Sequence, residues 1–160
     1  DMIVVDIQGD EPLLKPYMID DVVDYLVKNK GFDLIVPFIE AFEDESHSRV
    51  KLVASGSNVV YMSRRNLPYP FLKGAVYKKH LSIIAFRVDA LSKFASSKPT
   101  PLEEVEGIEL LRAIEIGLKV GTFKEYGETL AVDTQEDYER VQRLMCRDEL
   151  YLESNGYEQY

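Results

Sequence analysis

The chain has 160 residues, with 46% hydrophobic and 29% charged side chains, the balance of a folded globular protein and not of a disordered one. A formal net charge of −9 argues against broad binding to a nucleic-acid backbone, which needs clustered cations. The longest apolar run, around Leu34–Ile39, is too short to span a bilayer and is interrupted by Pro37.

Ile3–Ile7 is β-branched nearly throughout and reads as a buried strand. It stops at Gln8-Gly9-Asp10-Glu11-Pro12, where glycine permits a sharp turn and proline ends any ladder. From Tyr17 to Lys28 a helical period places Met18, Val22, Tyr25 and Leu26 on one face, and Gly31 marks a stop. Leu34-Ile35-Val36 follows as a second buried strand. Strand, helix and strand in succession predict a parallel βαβ unit.

Phe42–Ser48 is polar and reads as a short helix or loop, with His47 solvated. Val50–Val53 and Val59–Met62 flank the turn-rich Ala54–Asn58 and predict an antiparallel hairpin. Two prolines make Asn66–Phe71 an extended connection. His80–Val88 is a further strand and Ala90–Ser96 a brief helix. Leu102–Ile116 carries the clearest helical period, closed by Gly117. Leu118–Phe123 and Leu130–Val132 read as strands, and Thr134 caps a last helix ending near Cys146, with Asp137 at its third position. The expectation is one α/β domain, with a mixed, mainly parallel sheet and flanking helices, over residues 1–147. Residues 148–160 are then a helix end and tail.

Five features bear on chemistry. Asp10, just past a strand end and a glycine, either offers an oxygen ligand to a divalent ion or bonds backbone amides in a turn. Asp133 stands between a short strand and a helix start; it either favours the helix dipole or, with Thr134 already capping, joins Asp10 in holding a metal on a triphosphate. Lys78, Lys79 and His80 form a cationic opening to a strand, either an anion site or strand-end decoration. Ser63-Arg64-Arg65 is a guanidinium clamp or a surface pair. Glu109 and Arg112, at i and i+3, by themselves mean only a helix-surface ion pair. Cys146 is the single cysteine, so no disulfide framework or cysteine zinc site is available. The chain opens Asp1-Met2-Ile3, already inside an apolar run and without a secretory leader, so further residues are expected upstream and a cytoplasmic location is the default.

In this order the motifs resemble the 3-deoxy-D-manno-octulosonate cytidylyltransferase (CMP-KDO synthetase) family. Ile3–Pro12 matches its strand followed by Gln-Gly-Asp-Glu-Pro, and Tyr61–Pro68 its Tyr-Phe-Ser-Arg-x-x-Ile-Pro. His80–Arg87 is close to its His-Leu-Gly-Ile-Tyr-Gly-Tyr-Arg. Thr100–Glu103 through Ile108–Arg112 is similar to its Ser-Pro-Leu-Glu helix, and Val132–Val141 to its Val-Asp-Thr-Pro-Glu-Asp-Leu-Glu-Arg-Val. The resemblance runs from residue 1 to about 145. It implies a Rossmann-like nucleotidyltransferase fold and Mg2+-dependent transfer of CMP from CTP to the anomeric hydroxyl of a 2-keto-3-deoxy sugar acid. Pyrophosphate is released, and the product serves lipopolysaccharide or capsule precursor synthesis.

By the same resemblance Asp10 and Asp133 hold the metal, while Gln8, Arg64, His80, Glu109 and Arg112 contact substrate. The protein is expected to be a cytoplasmic homodimer with neither nucleic-acid nor membrane partners. The family's N-terminal CTP-phosphate loop is absent here, Ile84 and Leu110 replace a tyrosine and a glutamine at positions that touch the sugar, and the Pro70–Tyr77 segment is shorter. These departures define two alternatives: a nucleotidyltransferase for a different sugar acid, or a catalytically inactive binding or assembly module.

Overall fold

Apolar, β-branched segments pair into one sheet, which the computed structural model resolves with its flanking helices over residues 2–42, 48–71, 74–127 and 129–154. Among these described residues the sheet has eight strands: β1 (Ile3–Ile7), β2 (Leu34–Ile35), β3 (Phe38–Ala41), β4 (Lys51–Ser55), β5 (Asn58–Ser63), β6 (Tyr77–His80), β7 (Ile83–Arg87) and β8 (Val120–Gly121). Their order is β1-β7-β2-β8-β5-β4-β6-β3. Residues 43–47, which hold His47 and most of the expected Phe42–Ser48 element, lie outside the described residues. The chain divides into two compact units, Asp1–Ile7 with Pro16–Tyr126, and Gln8–Lys15 with Gly127–Tyr160.

The sheet belongs to the first unit. Helix α1 (Pro16–Lys28) buries Met18, Val22 and Leu26 as the periodicity predicts, and Tyr25 stacks on Phe123 at 4.6 Å. The sheet is mixed, as expected, but not mainly parallel. Only β2 and β8 pair in parallel as strands, with an isolated parallel bridge between Phe38 and Lys124, while the other strand pairs are antiparallel. β1 and β2 do point the same way, yet both pair antiparallel with β7, which lies between them. Burial explains the insertion. Ile83–Phe86 is buried at every position and suits the interior, whereas β1 is half-buried to exposed and takes the sheet edge, not the buried position expected of it.

The strand expected over His80–Val88 is two strands. Leu81 donates its N–H to the Pro37 carbonyl and Ile83 to the Leu81 carbonyl, a local turn that carries the chain from β6, beside β3 and β4, to β7, beside β1 and β2. The β4–β5 hairpin forms as predicted, turning at Gly56-Ser57. Strand β3 was not anticipated; Pro37 and Glu40 obscure its apolar pattern. The predicted Leu118–Phe123 strand contracts to β8. Its Gly121 lies so close to its neighbours that an added Cβ would sit 2.5 Å from Ile35 Cδ1 and 2.6 Å from Phe32 Cγ.

After α2 (Val88–Ser96), the expected Leu102–Ile116 helix is α3 (Pro101–Glu106) and α4 (Leu110–Glu115). Gly107 separates them in the left-handed region at φ 63°, its N–H bonded to the Glu103 carbonyl at 2.7 Å. Apolar spacing continues across the break, so the period alone reads as one helix. Leu34, Leu52, Met62, Phe86 and Leu111 lie in the apolar cluster of this unit, together with Ile84 and Leu110.

In the second unit, Leu130–Val132 forms no strand. Helix α5 (Gln135–Met145) starts as predicted: the Thr134 hydroxyl accepts from the Asp137 N–H at 3.1 Å, and the Asp137 carboxylate accepts the Thr134 N–H at 3.0 Å. A short α6 (Glu149–Ser154) follows. Leu13, Leu130 and Val141 make a small core, with Val132 and Met145 against it. Among the described residues no helix is long and apolar enough to cross a membrane.

Candidate active site

Two loops of the second unit meet through one backbone hydrogen bond. The Val132 N–H donates to the Asp10 carbonyl at 2.8 Å. Asp133 is the next residue, so its Cα follows about 3.8 Å along the chain. Acids 123 positions apart in sequence are thereby set on neighbouring backbone. Asp10 is half-buried, and its Oδ1 is buried without a hydrogen-bond partner; Asp133 is exposed. Gln8, exposed on the same loop, accepts the Glu11 N–H at its carbonyl, and Leu14 donates to the Glu11 carbonyl, so the loop folds on itself. Leu13 anchors it in the small core.

The donor set suits a hard divalent cation. Mg2+ takes oxygen ligands and is commonly held by one or two carboxylates, with substrate phosphates and waters filling the rest. A buried, unpartnered carboxylate oxygen is costly unless something occupies it, and Asp10 Oδ1 is such an atom. Among the described residues no three His, Cys, Asp or Glu side chains form a complete cage. Two carboxylates that leave positions for a phosphate ligand therefore fit Mg2+ better than a structural metal.

The remaining candidates lie in the first unit. His80, half-buried at the end of β6, has a buried Nε2 without a hydrogen-bond partner. Burial, and then the Lys79 ammonium, push its pKa down to about 4. The ring is consequently neutral at pH 7, able to hydrogen-bond a substrate but not to supply charge. Any cationic character here belongs to the lysines; Lys78 Nζ sits 4.8 Å from the centre of the Phe38 ring.

Arg64 turns onto the end of α3. Its Nε donates to the Glu106 carbonyl at 2.9 Å and its Nη2 to the Gly107 carbonyl at 2.8 Å, neutralising the negative end of that helix. Arg112 holds the same helix from its start, Nη2 to Glu103 Oε1 at 2.9 Å and Nη1 to the Ser97 carbonyl at 3.1 Å, with its guanidinium 4.4 Å from the Phe94 ring centre. Its carboxylate partner is therefore Glu103 and not Glu109, which is exposed at the cap of α4. Glu109 and Arg112 still share the start of α4, but the Arg112 guanidinium turns back to α3 instead of pairing along its own helix.

Sequence reasoning missed Glu106. Its carboxylate accepts from Tyr61 Oη at 3.2 Å, Ser63 Oγ at 2.9 Å and the Arg64 N–H at 3.2 Å, fixing the end of β5. Burial and this carboxylate raise the Tyr61 pKa. No local pattern marks such a residue, because its partners lie 42 to 45 positions away.

The mixed sheet with flanking helices matches the nucleotidyltransferase fold of a solved synthetase. The chain belongs to the cytidylyltransferase family, whose model matches residues 1–120. It is 35% identical over 152 residues to the 3-deoxy-manno-octulosonate cytidylyltransferase of Rickettsia rickettsii (strain Sheila Smith), covering 88% of this chain and 61% of the relative. It is 32% identical over 143 residues to the enzyme of that name from Fusobacterium nucleatum, covering 86% and 58%. A solved CMP:2-keto-3-deoxy-manno-octonic acid synthetase complexed with CTP superposes with a TM-score of 0.82 at 29% identity, over 91% of this chain and 62% of that one. The chain thus spans less than two thirds of the length of these relatives.

Proposed function

We propose that this chain is part of a cytidylyltransferase that moves CMP from CTP to a 2-keto-3-deoxy sugar acid of the manno-octulosonate type. The sugar's anomeric hydroxyl oxygen forms a bond to the α-phosphorus of CTP, the bond to the bridging oxygen breaks, the hydroxyl proton is lost and pyrophosphate leaves. No covalent enzyme intermediate is needed, so the protein's task is positioning and charge neutralisation. The observation that carries this reading is the Val132–Asp10 hydrogen bond, which sets Asp133 on backbone adjoining Asp10, whose carboxylate Oδ1 is buried and unpartnered. Family membership and the CTP-bound relative support it.

In this reading Asp10 and Asp133 hold Mg2+. When bound, the ion offsets the phosphate charge that a chain of net charge −9 would otherwise repel. Gln8, His80 and Glu109 are assigned to substrate contact; neutral His80 offers a hydrogen bond to a sugar hydroxyl or carboxylate. Arg64 and Arg112 act by fixing α3. The sugar-acid product is an intermediate for lipopolysaccharide or capsule, and the enzyme works in the cytoplasm as a homodimer.

The test has two parts. Titration of the 160-residue chain with Mn2+, a paramagnetic stand-in for Mg2+, should show binding lost in Asp10→Asn. Pyrophosphate release from CTP and the octulosonate should appear when the segment that full-length relatives carry and this chain lacks is restored. Metal binding without release across a panel of sugar acids would favour an inactive module. Release with another acid would favour the alternative substrate, for which Ile84 and Leu110, both only 6% exposed in the apolar cluster, are the distinguishing positions.

A further inference from the structure

Within the second unit, the loop bearing Asp10 is tied down at three points. Val132 bonds the Asp10 carbonyl, Leu13 packs with Leu130 and Val141, and at the loop's end the Lys15 ammonium pairs with Asp148 Oδ2. The first two ties use the segments that flank Asp133. The third comes from a different place, the junction between α5 and α6.

Asp148 divides its two oxygens. Oδ1 accepts the Tyr151 N–H at 3.1 Å and so caps α6, while Oδ2 takes Lys15. Its side chain is only 10% exposed against 37% for Lys15, so the pair is partly withdrawn from water and stronger than an open surface bridge. The Lys15 hydrogen bond outweighs burial and holds the Asp148 carboxyl below its usual range. α6 itself buries none of its residues. Apolar packing therefore does not explain why this junction carries a protected ion pair. Contact with the loop does.

We infer that Asp148 is a positioning residue, which through Lys15 braces the Gln8–Lys15 loop and thereby sets the Asp10 carboxylate for its cation. This inference rests on the metal reading given above. Groups that orient a ligand from behind set its affinity because they remove the cost of ordering it at the moment of binding.

The 160-residue chain is itself the test object. Asp148→Asn keeps an oxygen for the Tyr151 N–H but removes the charge, so capping and bracing separate. Mn2+ affinity should fall about tenfold in Asp148→Asn and in Lys15→Met, with the double variant no worse than either and Lys15→Arg near normal. Asp24→Asn, which removes an equal charge from the exposed Asp24–Lys28 pair on α1, should leave the affinity unchanged.

Amide hydrogen exchange supplies a readout independent of metal. Leu14 and Val132, whose N–H groups bond within the loop and across to it, should lose protection in Asp148→Asn, while Asn29 and Gly107 of the first unit should not. Unchanged exchange at Leu14 and Val132 overturns the brace. Faster exchange with unaltered Mn2+ affinity overturns its role toward the metal. If the unsubstituted chain binds no Mn2+, the metal assignment itself fails, and exchange alone then decides whether the brace exists.

Discussion

Arg112 and Glu103 make a demanding case, because the family resemblance points Arg112 at substrate while its contacts in the structure are with α3 and the Ser97 carbonyl. The two side chains are 13% and 11% exposed and meet at 2.9 Å. Arg112→Met keeps most of the stem volume against Phe94 but leaves the Glu103 carboxylate bonded to the Thr100 N–H at 3.1 Å without its cationic partner. Loss of one member of a buried pair typically costs about 3–5 kcal/mol. Residual exposure and the Thr100 bond place this variant at the low end, near 3 kcal/mol. Glu103→Gln keeps a neutral acceptor for Arg112 and should cost about 1–2 kcal/mol. The double variant has no stranded charge, so it should be more stable than the sum of the singles by about 1–2 kcal/mol. Urea unfolding followed by circular dichroism reads all four corners of this cycle. Singles that add to the double within about 0.3 kcal/mol would refute the structural role of the pair.

Three further outcomes follow from particular contacts. Below neutral pH, His80 should destabilise the fold: its folded pKa of about 4 lies beneath the unfolded value near 6.5. The unfolded state then binds more protons between these values. The histidine's contribution is fully present above about pH 6.5 and is lost as pH falls toward 4, by at most about 3 kcal/mol. His80→Gln should flatten that part of the stability-versus-pH curve, and an unchanged slope would remove the argument. Gly121→Ala should cost about 1–3 kcal/mol by overpacking, since a methyl would press on Phe32 and Ile35; a midpoint in urea equal to that of the unsubstituted protein would show that the strand moves freely. In the reconstituted full-length enzyme, Asp10→Asn and Asp133→Asn should each abolish turnover and leave circular dichroism nearly unchanged. Near-normal turnover in either would contradict its place at the metal.

The periodicity of α1, the hairpin around Gly56 and the capping box at Thr134 that starts α5 were all readable from the chain, because each depends on residues within a few positions of one another. The sequence also marked Asp10 and Asp133 as acids at element ends, since glycine, proline and a capping threonine leave local signatures. Tertiary structure alone decided that β7 inserts between β1 and β2, that His80–Val88 splits at Leu81, and that Gly107 divides a continuous apolar period. It also decided that Arg112 finds Glu103 and that Val132 carries Asp133 to Asp10. Those outcomes turn on which buried surfaces and stranded polar groups are satisfied across 9 to more than 100 residues of chain. Local spacing holds no record of such pairings, because the partner that lowers the energy is supplied by another segment.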